Sequence, residues 1–254
     1  MNDPDIKDFL ELKADQYNHP DFIDLDPVQI PHLYSQKEDI EIAGFLAATI
    51  SWGNRTAILK SAKRMMEMMG NSPFDFVISH REAHLEQLDG FVHRTFNATD
   101  FAYFVIALRH LYKNHGGLAG LFNAYQAETS LQPAIHQLKQ AFFTLPHLHR
   151  TRKHLPDPFM GSAAKRINMY LRWMVRNDHR GVDFGIWKQI SPSKLSCPLD
   201  VHTGNVARKL GLLKRKQNDA KAVVELDRVL RSFDPEDPVK YDYALFGLGV
   251  FERF

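Results

Sequence analysis

Apolar residues along this chain recur at intervals of three and four far more often than they alternate, a spacing that predicts helices throughout and an all-α protein. In SQKEDIEIAGFLAATISWG, Ser35 stands as a cap, acids fill the first turn, and Ile42, Phe45, Leu46 and Ile50 share one face up to Gly53. The next helix, from about Arg55, turns Ile58, Ala62, Met65, Met66 and Met69 inward and stops at Gly70. NATDFAYFVIALRHLYKNHGG predicts a third, capped at Thr99 or Asp100, with Phe101, Phe104, Val105, Leu108 and Leu111 buried and Gly116 at its end. Shorter helices are expected near Leu118 to Ala127 and Gln132 to Phe143.

PHLHRTRKHLPDPFMGSAAKR interrupts the pattern with prolines and a glycine and reads as an ordered turn between helices. GSAAKRINMYLRWMVR then predicts a strong helix, with Ala163, Ile167, Tyr170, Leu171 and Met174 toward the core and Lys165, Asn168, Arg172 and Arg176 on another side. DFGIW is expected as a short helix, followed by one after Asp200 that stops at Gly211 and two last helices over about Ala220 to Ser232 and Pro238 to Val250. The expected arrangement is one unit, 1–254, of two helical lobes: about 38–176 in one, 1–37 with 177–254 in the other, and a cleft near Asp200.

With 44% hydrophobic and 24% charged residues over 254 positions, the chain falls among globular rather than disordered proteins. A net charge of +2 is too small to identify a nucleic-acid binder, so any basic surface has to come from local clusters. The lone Cys197 excludes an internal disulfide and a four-cysteine cluster, and fits a reducing, cytoplasmic setting. The polar, acidic first residues lack the pattern of a secretory signal, and no apolar run is long enough for a membrane span.

CPLDVHTGNVARKLGL raises a chemical question, because a carboxylate opens a helix that then carries His202, Arg208 and Lys209. Taken locally, Asp200 is a helix N-cap, a role that stabilises by about 1 kcal/mol. PLDVHTGNVARKLGL also resembles the segment that follows the hairpin in the helix-hairpin-helix DNA glycosylase superfamily, which includes endonuclease III and the 8-oxoguanine DNA glycosylases. Upstream, LPDPFMGSAAKRINMYLRWM is similar to that family's hairpin, about 150–176, and AGFLAATISWGNRT to its early buried helix and the turn after it. SAAKRINMYLRWMVR with FDPEDPVKYDYALFGLG further resembles an uncharacterised bacterial branch of the superfamily.

The resemblance implies that Asp200 is the catalytic acid and Lys165 a nucleophile; a shifted register would present Lys153 or Arg166 instead. It implies double-stranded DNA with a damaged base as the partner, a DNA-repair role, no cofactor, and a monomer. The reaction would be hydrolysis of the N-glycosidic bond of a flipped base, an oxidised purine as first guess, with lyase activity if the lysine attacks. Such chemistry suits a carboxylate, since breaking a base–sugar bond builds positive charge on the sugar.

DNA contacts are expected from Arg150, Arg152 and Lys153, and from Gly161 and Ser162 at the start of a helix whose N–H groups suit a phosphate. Arg55, Arg166, His202 and Arg208 would extend this surface, while Trp52 and Asn54 would fill the space left by a flipped base. Two other readings stay open. One is a helix-hairpin-helix protein that binds distorted DNA without cutting it. The other is a helical metal-dependent hydrolase using His80 and His84, placed at i and i+4 on one helix face around Glu82.

Overall fold

The computed structural model describes residues 3–254. Its helices are α1 (Asp3–Tyr17), α2 (Lys37–Thr49), α3 (Arg55–Met68), α4 (Pro73–Ser79), α5 (Glu82–Glu86), α6 (Ala98–Asn114), α7 (Gly117–Asn123), α8 (Gln132–Phe142), α9 (Lys165–Val175), α10 (Val201–Lys209), α11 (Ala220–Phe233) and α12 (Tyr241–Val250). Short 3-10 turns join several of them, and two short strands, β1 (Val92–His93) and β2 (Phe96–Asn97), pair as an antiparallel hairpin. The chain is therefore mostly helical, as its periodicity predicts. No helix among the described residues is long and apolar enough to cross a membrane.

Helix α2 is apolar on nearly every side and is buried from Ile40 to Thr49, the fate of a helix with no polar face. Its Gly44 admits α9 closely: a Cβ there would lie 3.2 Å from the Met174 side chain and 3.3 Å from the Tyr170 ring. The one buried carboxylate on this helix, Glu41, accepts hydrogen bonds from Tyr112 Oη at 2.7 Å and Trp187 Nε1 at 2.8 Å. Those donors satisfy a group that would otherwise be costly inside a core.

The buried apolar residues form two clusters. The larger surrounds α2, α6, α8 and α9 and also takes in Val28, Ile30, Val182, Trp187 and Ile190. The smaller joins α1 to α10, α11 and α12 through Leu10, Ala14, Val206, Leu226, Leu230, Leu245 and Leu248. A buried ionic seam runs from α9 to α12 and the connections beside it. Arg172 pairs with Asp242 at 2.5 Å and Asp183 at 3.3 Å, and Arg176 pairs with Asp183, Asp237 and Asp178.

Several local details differ from the sequence reading. Gln36 rather than Ser35 precedes α2, and α6 is capped by Asn97, whose side chain accepts from the Asp100 N–H while Asp100 answers the Asn97 N–H. DFGIW is not helical; it has no regular structure, with Gly185 at φ 56° and the Phe184 N–H donated to Trp173 O at 2.8 Å. Helix α9 starts at Lys165, not Ser162, after Ala164 in a left-handed conformation (φ 48°). His80 and His84 do not share a helix face. His80 ends α4, bonded to Val77 O at 2.9 Å, and His84 sits in α5, accepting from the Arg81 N–H. Among the described residues no group of three or more His, Cys, Asp or Glu is placed to hold a metal ion.

Candidate active site

Two helix beginnings meet at the wall of a cavity of about 580 Å³, a size that suits a small ligand. Lys165 is the first residue of α9, and Asp200 is the N-cap of α10. Lys165 Nζ and Asp200 Oδ2 lie 3.8 Å apart, each side chain 25% exposed. The carboxylate is not sealed under Leu199 or the last helix, for both it and the amine line the cavity wall.

The start of α10 is fixed by four bonds. Asp200 Oδ1 accepts the Thr203 N–H at 3.0 Å, so this side chain caps its helix while leaving the other oxygen toward Lys165. Asn218 donates to Asp200 O at 2.7 Å, and Arg208 in turn donates to Asn218 Oδ1 at 2.6 Å and Arg215 O at 2.8 Å. Gly204 makes room for that brace, since a Cβ would come within 2.6 Å of Asn218 Oδ1.

The cavity is also lined by the turn between α2 and α3, with Ser51, Trp52 and Gly53, and by Arg55 and Ile58 of α3. Arg166 lines it too. Its guanidinium lies 4.8 Å from the Trp52 ring, a cation–π contact, and donates to Thr49 O and, at 3.2 Å, to His154 O. No carboxylate pairs with it, and burial lowers its pKa to about 10, so it remains a cation at neutral pH. Arg55 sits 5.5 Å from the Phe246 ring. The lining cations Arg55, Lys165 and Arg166 thus outnumber the one lining carboxylate, above apolar sides formed by Trp52, Met169 and Phe246.

Two buried carboxylates that feel the charge of Lys165 were not singled out from sequence. Asp26 is buried, and burial raises its pKa despite the positive charges of Arg172, Lys165 and Arg55. Burial likewise raises Asp242 to about 6 against the pull of Arg172 and Lys165. Pro27, Met169, Phe246 and Val250 were missed as lining residues as well; ordinary apolar positions carry no local signal of facing a cavity.

The structure gathers Trp52, Arg55, Lys165, Arg166, Asp200 and His202 around the cavity and leaves other expected contacts elsewhere. Asn54 caps α3 through the Ala57 N–H at 3.1 Å. Arg150 is turned inward on buried Asp100 at 2.8 Å and on Thr95 O at 2.7 Å, so its guanidinium is a structural brace. Arg152 lies 5.1 Å from the Phe143 ring, while Lys153 is exposed. Gly161 is exposed with φ 88°, its carbonyl accepting the Ala220 N–H, and Ser162 Oγ accepts the Ala164 N–H at 3.1 Å. Arg208 faces Asn218 and Arg215 O, which makes it a support for Asp200.

A family model described as "Protein of unknown function (DUF2400)" matches residues 26–251, a span that contains every cavity-lining residue. No curated protein and no solved structure matches the chain.

Proposed function

We propose that this chain, which belongs to the DUF2400 family of proteins of unknown function, is a DNA glycosylase of helix-hairpin-helix type that excises a damaged base from duplex DNA. The observation that carries the reading is the amine and carboxylate of Lys165 and Asp200, 3.8 Å apart in an open cavity with cationic and aromatic walls.

In this reading a flipped nucleotide places its base against Trp52 and Arg166 and its sugar beside Asp200. As the C1′–base bond breaks, its electron pair leaves with the base, which takes up a proton, and positive charge develops on the sugar. The Asp200 carboxylate stabilises that charge. A neutral amine at Lys165 can add to C1′, pass a proton to Asp200 and, after ring opening, leave a Schiff base; otherwise water adds at the same carbon. An ordinary lysine is neutral in only about one molecule in a thousand near pH 7.4, so the covalent route needs an environment that favours the free amine.

The experiment is a panel of duplexes, each with one lesion, oxidised purines first, incubated with native protein and with Asp200→Asn. Base release by the native protein and loss in the variant are expected. Borohydride trapping then separates the routes: a covalent adduct formed by native protein but not by Lys165→Gln identifies the lysine as nucleophile. A native protein that releases no base from any duplex defeats the proposal, and binding without release would leave a DNA-recognition module.

A further inference from the structure

The β1–β2 hairpin lies in a part of the chain that carries no recognisable motif, yet its tip reaches Gly53, a residue that lines the cavity. His93 and Phe96 pair across it, leaving Arg94 and Thr95 as a two-residue connection. Arg94 has φ 54°, a left-handed conformation in which such connections favour glycine or asparagine over a long side chain. Its guanidinium lies over Gly53, one of the cavity-lining residues: a Cβ on Gly53 would stand 2.7 Å from Arg94 Nη1. Gly53 itself has φ 103°, a backbone conformation that calls for glycine there. Arg94 is exposed and forms no ion pair or hydrogen bond among the described residues.

The tip is held from several sides. His93 is buried, bonded to Ser61 Oγ at 2.9 Å and to Trp52 O at 3.4 Å. Phe96 is buried against Phe91, Phe104 and His154, and Arg150 clamps Thr95 O. An unpaired cation in an unfavourable backbone conformation, on a braced turn beside a cavity-lining residue, is an arrangement with a cost and no evident structural return. Such outliers concentrate where a site needs a group presented rigidly.

We infer that Arg94 is the side chain that enters the duplex beside the excised base, occupying the space that base vacates and donating to the base left unpaired. This rests on the glycosylase reading above. A guanidinium suits the task because its flat face stacks on bases while its N–H groups meet their acceptors. Flipping costs a few kcal/mol in unstacking and unpairing, and an inserted side chain offsets part of that cost only when the target lies in a duplex.

The test compares excision of one lesion from duplex and from the same single strand, by native protein, Arg94→Gly and Arg94→Lys. Arg94→Gly is expected to slow duplex excision about tenfold or more and to leave the single-strand rate within about twofold, with Arg94→Lys intermediate. Because glycine relieves the turn, the melting temperature of Arg94→Gly should equal or exceed the native value, which excludes misfolding as the cause. A duplex rate within about twofold of native, or an equal loss on both substrates, overturns the inference while leaving the glycosylase reading in place. Native protein inert on both substrates defeats that reading, and the role of Arg94 with it.

Discussion

Asp200 performs two separable tasks, and two substitutions pull them apart. As a cap it accepts the Thr203 N–H; as a charge it faces Lys165. Asparagine caps as well as aspartate, so Asp200→Asn should melt within a degree or so of native, whereas Asp200→Ala loses about 1 kcal/mol and about 2–4 °C. The lost charge is the larger effect on chemistry. At about 4 Å and an effective dielectric of about 20, a unit charge contributes about 4 kcal/mol. The side chain is 25% exposed, so solvent screens some of this. Taking about 2–3 kcal/mol, excision should slow roughly 30- to 150-fold in both variants. Single-turnover release from the duplex that native protein cuts best, read beside thermal melting, gives both quantities. Asp200→Asn acting within about threefold of native would refute the catalytic role, and Asp200→Asn melting as low as Asp200→Ala would show that the charge serves the fold.

Lys165→Gln should lose the borohydride-trapped complex and keep base release only as far as water replaces the amine, a result read on a denaturing gel beside free-base chromatography. His154 is buried next to Asp100, and burial lowers its pKa to about 4, so protonation favours the unfolded chain, where the ring titrates near 6.5. Its contribution is complete above pH 6.5 and is lost as pH falls toward 4; the stability advantage of native protein over His154→Gln should shrink by about 2–3 kcal/mol between pH 8 and 4.5 in urea titrations. An advantage independent of pH would mean that the ring is not held neutral. Arg208→Met should lower melting and slow excision without changing how DNA affinity depends on salt, whereas Lys153→Ala should reduce the slope of log affinity against log salt by about 1. Equal slope changes in the two variants would place Arg208 on the DNA rather than behind Asp200.

Helix spacing was readable because each buried face repeats over two or more turns, and the two ends that matter, at Lys165 and Asp200, also carry the family-like segments. Arginine roles were not. Arg150 and Arg208 look like surface cations until distant acceptors arrive: Asp100 from α6 for one, Asn218 and the Arg215 carbonyl for the other. The hairpin was invisible for a different reason. Each strand is two residues long, too short for alternation to register, and the turn residue with positive φ is an arginine rather than the glycine that would mark it. His80 and His84 misled because their spacing implies one helix face only if the helix continues, and α4 ends at Ser79.

The placement of the amine and carboxylate depends on what stands behind α9. Lys165, Arg172 and Arg176 follow one another at intervals of two turns and one, so they share a side of the helix. Arg172 and Arg176 are fastened to Asp242 and Asp237, the first on α12 and the second just ahead of it. Helix α12 also packs against α10 through Gly249, where a Cβ would come within 3.0 Å of the His202 Cβ. One helix therefore touches both helices that carry the candidate site. Burying arginines in this way gains little net stability over apolar packing, because desolvation cancels much of the attraction, but removing either partner leaves an uncompensated charge. Such a seam tolerates few alternative registers. It would fix the separation of Lys165 and Asp200 through directed bonds, where apolar packing alone would allow α9 and α10 to slide.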